Sequence, residues 1–178
     1  PTTTIVELAY QINDLLEKNE YPNEAEPGAQ EFSIGDTVPM SPTQREYLSA
    51  DIQNAGGFTV TTHLRILAGT NCELLATALR KTFNRHDAFA LRFELQNGMW
   101  CQIYRPELPR FEFETHQIAS ADRDEWKKLA IELESRSARE FNLKTGPLAR
   151  AVFLDRGRDT RGMLTVTAHH LVVDGMSM

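Results

Sequence analysis

Hydrophobic and polar positions along this chain follow two periods, and the switches between them mark its elements. Ile5, Leu8, Ala9, Ile12, Leu15 and Leu16 recur at three- and four-residue steps, and Thr4 with Glu7 makes a capping box. Residues 4–18 therefore read as an amphipathic helix. From Asn19 to Asp36 the pattern lapses: Pro22, Pro27, Gly28 and Gly35 stand among carboxylates with few apolar residues, as in a linker. The helix either packs on the body that follows or meets a partner. The expected division is residues 1–37, helix and linker, and residues 38–178, the main body.

Ser41-Pro42-Thr43-Gln44 is a strong helix start, because Ser caps, Pro suits the first helical position and Gln closes the box; about three turns should follow. After Gly56-Gly57, Phe58, Val60, Thr62, Leu64 and Ile66 fall on one face of an alternating strand. Asn71 opens a second helix with Leu74, Leu75, Ala78, Leu79 and Phe83 as its apolar face. Residues 89–95 and 99–104 flank Asn97-Gly98, a pair suited to the positive-φ turn of a tight hairpin. Residues 111–115 read as a short strand, and residues 121–140 as a charged helix burying Trp126, Leu129, Ala130 and Leu133. Strands at 148–154 and 163–169, joined by the polar run Asp155-Arg156-Gly157-Arg158-Asp159, complete the chain. Interleaved helices and strands predict an α/β fold: a two-layer sandwich, with helices packed on one face of a mixed β-sheet.

Charge and composition narrow the function. Among 178 residues, 25 acidic side chains outnumber 19 basic ones and no Lys/Arg cluster stands out, so neither nucleic acid nor an anionic membrane surface is an expected partner. No apolar run approaches the roughly 18 residues of a membrane span, and the N-terminus lacks a secretory pattern, so the expected location is the cytoplasm. Cys72 and Cys101 show no CxxC or metal-ligand spacing and read as reduced core residues.

The chemistry concentrates in the last ten residues, His169-His170-Leu171-Val172-Val173-Asp174-Gly175-Met176-Ser177-Met178. An apolar strand delivers two adjacent histidines to its C-terminal end. Neighbouring strand residues point to opposite faces, so one imidazole should face a cavity and the other should be structural; the pair cannot clamp a metal together. With Asp174 they still fall short of the four ligands of a structural zinc site, and no metal is expected. His63, His86 and His116 belong to no constellation, Ser177 lacks a nucleophile elbow, and Tyr47 and Trp100 read as packing residues.

HHLVVDG at 169–175 resembles the HHxxxDG signature of condensation domains of nonribosomal peptide synthetases, in the chloramphenicol acetyltransferase-like superfamily. Three further segments agree in order and spacing. SPTQREYL at 41–48 resembles the family's S-x-x-Q-R-x-x-x-L helix, RHDAFALRF at 85–93 its R-H-[DE]-x-[LF]-R-x-x-F stretch, and FNLKTGPLAR at 141–150 its F-D-L-x-x-G-P-L-x-R segment. The second departs from the pattern, with Phe89-Ala90-Leu91-Arg92 where condensation domains place an Arg sooner. That spelling is similar to epimerization domains of the same superfamily.

The resemblance implies the N-terminal lobe of a two-lobed acyltransferase that forms peptide bonds between a carrier-bound acyl thioester and an amine. His170 would be its catalytic residue, facing the channel between the lobes. Imidazole is largely neutral at physiological pH, so it can accept a proton from the attacking nitrogen or hold it in place. His169 would be structural, Asp174 a buried anchor paired with Arg45, and Gly175 the residue permitting a tight loop. The implied partners are donor and acceptor carrier proteins and the C-terminal lobe, without which the chain is expected to be inactive. No cofactor would be bound directly, the substrates riding on the carriers' 4'-phosphopantetheine arms. Two alternatives stay open: an epimerization domain, and a catalytically idle relative that recruits a partner through the helix at 4–18. The intact signature weighs against the last.

Overall fold

The computed structural model describes residues 31–50, 55–118, 123–139 and 141–174. The helix expected at 4–18, and Gly175 and Ser177, lie outside the described residues. Residues from Phe32 on form a unit of their own.

Among the described residues, seven strands and three helices alternate: β1 (Thr37–Val38), α1 (Pro42–Ser49), β2 (Thr59–Ile66), α2 (Cys72–Arg85), β3 (Leu91–Gln96), β4 (Met99–Tyr104), β5 (Glu112–Gln117), α3 (Arg123–Arg139), β6 (Ala149–Asp155) and β7 (Gly162–His169). The class is the expected mixed α/β, but the strands divide into two sheets, β1-β4-β3 and β2-β7-β6-β5. In the second, β2, β7 and β6 run antiparallel in turn, while β5 is parallel to β6, with Glu112 opposite Arg150. A parallel pair cannot be closed by a tight turn, and α3 is the crossover between its strands.

Alternation along β6 explains the layering. Ala149, Ala151 and Phe153 join Phe83 of α2 and Phe93 of the hairpin in the main core, whereas Val152 and Leu154 pack with Leu133, Trp126 and Leu129 of α3. Helical packing therefore lies on both faces of this sheet, because β6 is apolar on both. The inward stripe of α2 is also rotated from the expected one. Leu74 and Ala78 are exposed, while Cys72, Leu75, Ala76, Leu79 and Phe83 turn inward at steps of three and four. On β2, Leu64 is exposed despite its place in the alternation, since β2 is an edge strand.

Local signals account for the element ends. Ser41 caps α1 with both bonds of the capping box, and Asn71 caps α2 by accepting from the Glu73 and Leu74 amides. Helix α1 has eight residues, a little over two turns, shorter than expected. Asn97 and Gly98 both take positive φ, 53° and 78°, and close the hairpin with Gln96 opposite Met99.

One buried cation ties the hairpin to the segment that enters β5, and the segment that enters β6 packs over it. Arg92 is 1% exposed and donates to the carbonyls of Phe89 (2.9 Å), Leu91 (2.6 Å) and Pro109 (2.6 Å). Burial lowers its pKa to about 10, with Arg110 adding to the effect, so it still carries its charge at neutral pH. Gly146 sits directly over it: a Cβ there would lie 2.6 Å from Arg92 Nη2, and its φ of +69° is strained for any other residue. Gly146→Ala should therefore lower unfolding stability by about 1–3 kcal/mol in a denaturant titration, through both strain and collision; a change within a few tenths would show the guanidinium moves aside freely.

Candidate functional site

Strand β7 is central, held by β2 on one side and β6 on the other, and it ends at His169 opposite Thr59. Past its end the backbone stays pinned on both sides. The His169 amide donates to Leu148 O (2.9 Å) and the His170 amide to Phe58 O (2.8 Å). The chain then turns, the Val172 amide donating back to His169 O at 3.0 Å.

The two imidazoles face different surroundings and hold their protons differently. His169 is fully buried, with the Tyr47, Phe58 and Phe141 rings edge-on at 6.3–6.4 Å. Its Nδ1 accepts the Leu171 amide at 3.2 Å, so the neutral ring carries its proton on Nε2. His170 is half-buried, and its Nδ1 lies 2.9 Å from Val173 O. A carbonyl only accepts, so Nδ1–H donates there, and in the neutral ring the lone pair resides on Nε2. The His170 ring stacks on Phe58 at 4.5 Å and 13°, and Phe58 stacks on Tyr47 at 4.3 Å and 18°. Burial raises the pKa of Tyr47, so its hydroxyl stays protonated.

Helix α1 reaches the loop through Gln44. Its Oε1 accepts from the Ser41 amide (2.7 Å), and its Nε2 donates to Leu171 O (2.7 Å), one residue beyond His170. A single side chain thus caps the helix and clamps the turn carrying the two histidines. The sequence marks Gln44 only as part of a capping box; its second bond spans 127 residues and has no local signal. Phe58 was equally hidden, because its place beside His170 depends on β2 pairing with β7.

The expected buried pair of Arg45 and Asp174 is not seen, because both side chains are exposed. Arg45 lies about 100° round the helix from Gln44, and that step turns it away from the surface Gln44 presents to the loop.

The remaining candidates are held in ordinary structural contacts. His63 Nδ1 is 3.1 Å from Thr165 Oγ1 and its Nε2 is 3.7 Å from Glu134, while His116 lies 3.4 Å from Glu114. Cys72 Sγ–H donates to Asp155 at 3.7 Å, and burial and that carboxylate push its thiol pKa up, away from the reactive thiolate. Among the described residues no group of three His, Cys, Asp or Glu could hold a metal ion, and no helix is long and apolar enough to cross a membrane.

Comparison with known proteins places this geometry in a family. Residues 34–178 match the family model described as Condensation domain. The chain is 28% identical over 176 residues to gramicidin S synthase 1 of Brevibacillus brevis, covering 98% of this chain and 15% of the relative. It is 28% identical over 163 residues to bacitracin synthase 1 of Bacillus licheniformis, covering 90% and 3%. The chain therefore spans a small part of the length of the curated relatives it matches. In fold it is similar to the epimerization domain of the third module of tyrocidine synthetase B (TM-score 0.72, 23% identity, 83% of this chain and 32% of that one). It is also similar to the starter condensation domain of rhizomide synthetase (TM-score 0.63, 18% identity, 76% and 31%). With the match running through both histidines, the chain belongs to the condensation-domain family of nonribosomal peptide synthetases.

Proposed function

We propose that this chain supplies one wall of an amide-forming site in which Nε2 of His170 meets the attacking amine. The observation carrying the proposal is the Nδ1–H···O bond to Val173 at 2.9 Å, which leaves Nε2 as the acceptor of a half-buried ring. The amine nitrogen attacks the thioester carbonyl; the C–N bond forms and the C–S bond breaks. The nitrogen's proton passes to Nε2 and then to the departing thiolate, so the imidazole ends as it began. A thioester is already activated, and holding two tethered reactants at one point supplies much of the rate without a covalent enzyme intermediate. The substrates would arrive on the phosphopantetheine arms of donor and acceptor carrier proteins, and the second wall would come from a C-terminal lobe. Phe58 fixes the plane of the ring, His169 fills the space behind it, and Gln44 and Val173 hold the turn.

A second reading is favoured by one feature, the epimerization-type spelling Phe89-Ala90-Leu91-Arg92. The same Nε2 would then take the Cα proton of a carrier-bound aminoacyl group, with another group returning a proton to the opposite face. Deuterium from solvent appearing at Cα, without new amide, selects this reading; amide formed without Cα exchange selects condensation.

In the complete two-lobed protein loaded with both carriers, His170→Ala should lower single-turnover product formation by about 10²–10⁴-fold if the ring transfers the proton. Product formed at the wild-type rate would remove His170 from the chemistry. Gln44→Ala should cost about 1–2 kcal/mol of stability in thermal unfolding and slow the reaction by less than His170→Ala does. A variant that unfolds earlier but turns over normally would limit Gln44 to a capping role.

A further inference from the structure

At the other end of the same sheet, roughly 25 Å along β7 from His170, lies a cavity of about 340 Å³ that the chemistry above does not use. That volume falls within the range of small-molecule sites. Part of its lining is apolar, supplied by Ile118, Trp126, Leu154 and Met163, side chains that pack β6 and β7 against α3. Around it stand three arginines, Arg65 at the end of β2 and Arg156 and Arg161 on the β6–β7 connection.

Arg105, Arg110, Arg136, Lys144 and Arg150 each pair with a carboxylate. The three cavity arginines, like Arg80, Lys81 and Arg158, form no such pair among the described residues, but the three line one recess together. Arg156 lies over the Trp126 ring, its Cζ 5.9 Å from the centroid, a cation–π contact that keeps its charge at the cavity wall. Neither acid of the connecting turn lines the cavity. Asp155 accepts instead from the Gly157 amide (2.9 Å) and from Cys72 (3.7 Å). In a chain of net charge −6, three guanidinium groups gathered around one recess make a local positive charge that no carboxylate lining the cavity among the described residues offsets.

We infer that this cavity binds a small phosphate monoester, its dianionic head held by Arg65, Arg156 and Arg161 and its apolar body lying against Trp126 and Met163. Three guanidinium groups exceed the charge of a single carboxylate and suit the oxygens of a phosphate, which accept forked donation. The apolar wall requires an organic body as well as the anion. The site is independent of the amide-forming reading, since it shares no residue with the His170 turn.

The test uses the chain itself. Its two tryptophans are Trp100 and Trp126, so Trp100→Phe leaves Trp126 as the sole reporter in the cavity wall. Phenyl phosphate should change the Trp126 emission saturably. Inorganic phosphate should bind more weakly, and benzyl alcohol, which lacks the anion, should give no saturable change. Arg65→Ala and Arg161→Ala, both at exposed side chains, should each weaken phenyl phosphate binding about tenfold or more without altering the melting temperature. A response that never saturates, or saturable binding that survives the double substitution, would overturn the inference.

Discussion

The donation from His170 Nδ1–H to the Val173 carbonyl, 2.9 Å long, is the interaction on which the candidate site depends. It joins a side chain to a backbone group only three residues on, so the turn that positions the ring also decides which nitrogen is available for chemistry. The rest of the unit serves to keep that turn in place. Strand β7 cannot slip while paired on both edges, and a slip of one residue would exchange the buried and half-buried histidines. The amides of His169 and His170 extend the pinning beyond the last ladder residue, to Leu148 and Phe58.

Around this turn the protein combines two kinds of restraint. Stacked rings, Tyr47 on Phe58 on His170, restrict tilt while leaving the ring edge open. Hydrogen bonds fix position, above all the amide of Gln44, which ties the helix start to Leu171 O. The opposite tautomers of the two histidines follow from this arrangement: the buried ring accepts a backbone amide and the half-buried one donates to a backbone carbonyl. Two adjacent identical residues thereby acquire different proton positions from the backbone groups they meet.

The main core has its own constraint, and it is costly. Arg92 is held in the interior by three carbonyls, with its Nε lacking a hydrogen-bond partner. An interior cation survives only where its surroundings satisfy most of its donors. The segment 141–150 is shaped to allow this. Asn142 accepts the Lys144 and Thr145 amides, Gly146 makes room over the guanidinium, and Leu148 leads into β6 fully buried.

Much of the fold was legible along the chain, because it rests on short-range physics. Ser41 and Asn71 cap their helices, Asn97-Gly98 closes the hairpin, and the period of three and four places Trp126 and Leu133 against the sheet. The motif around His169 and His170 was legible in the same way, since alternation on a strand separates the two rings whatever lies around them. What the sequence could not supply was any contact whose partner lies far along the chain. The division of the strands into two sheets, the rotation of α2 that exposes Leu74, the stacking of Phe58 on His170 and the reach of Gln44 to Leu171 all depend on which strand lies beside which. The same ignorance made Arg45 the expected neighbour of Asp174, although one step of helix rotation gives the contact with the loop to Gln44. Local sequence determined the elements and the chemical groups at their ends; only tertiary pairing decided the surroundings of each group, because burial and hydrogen-bond partners are properties of neighbours in space.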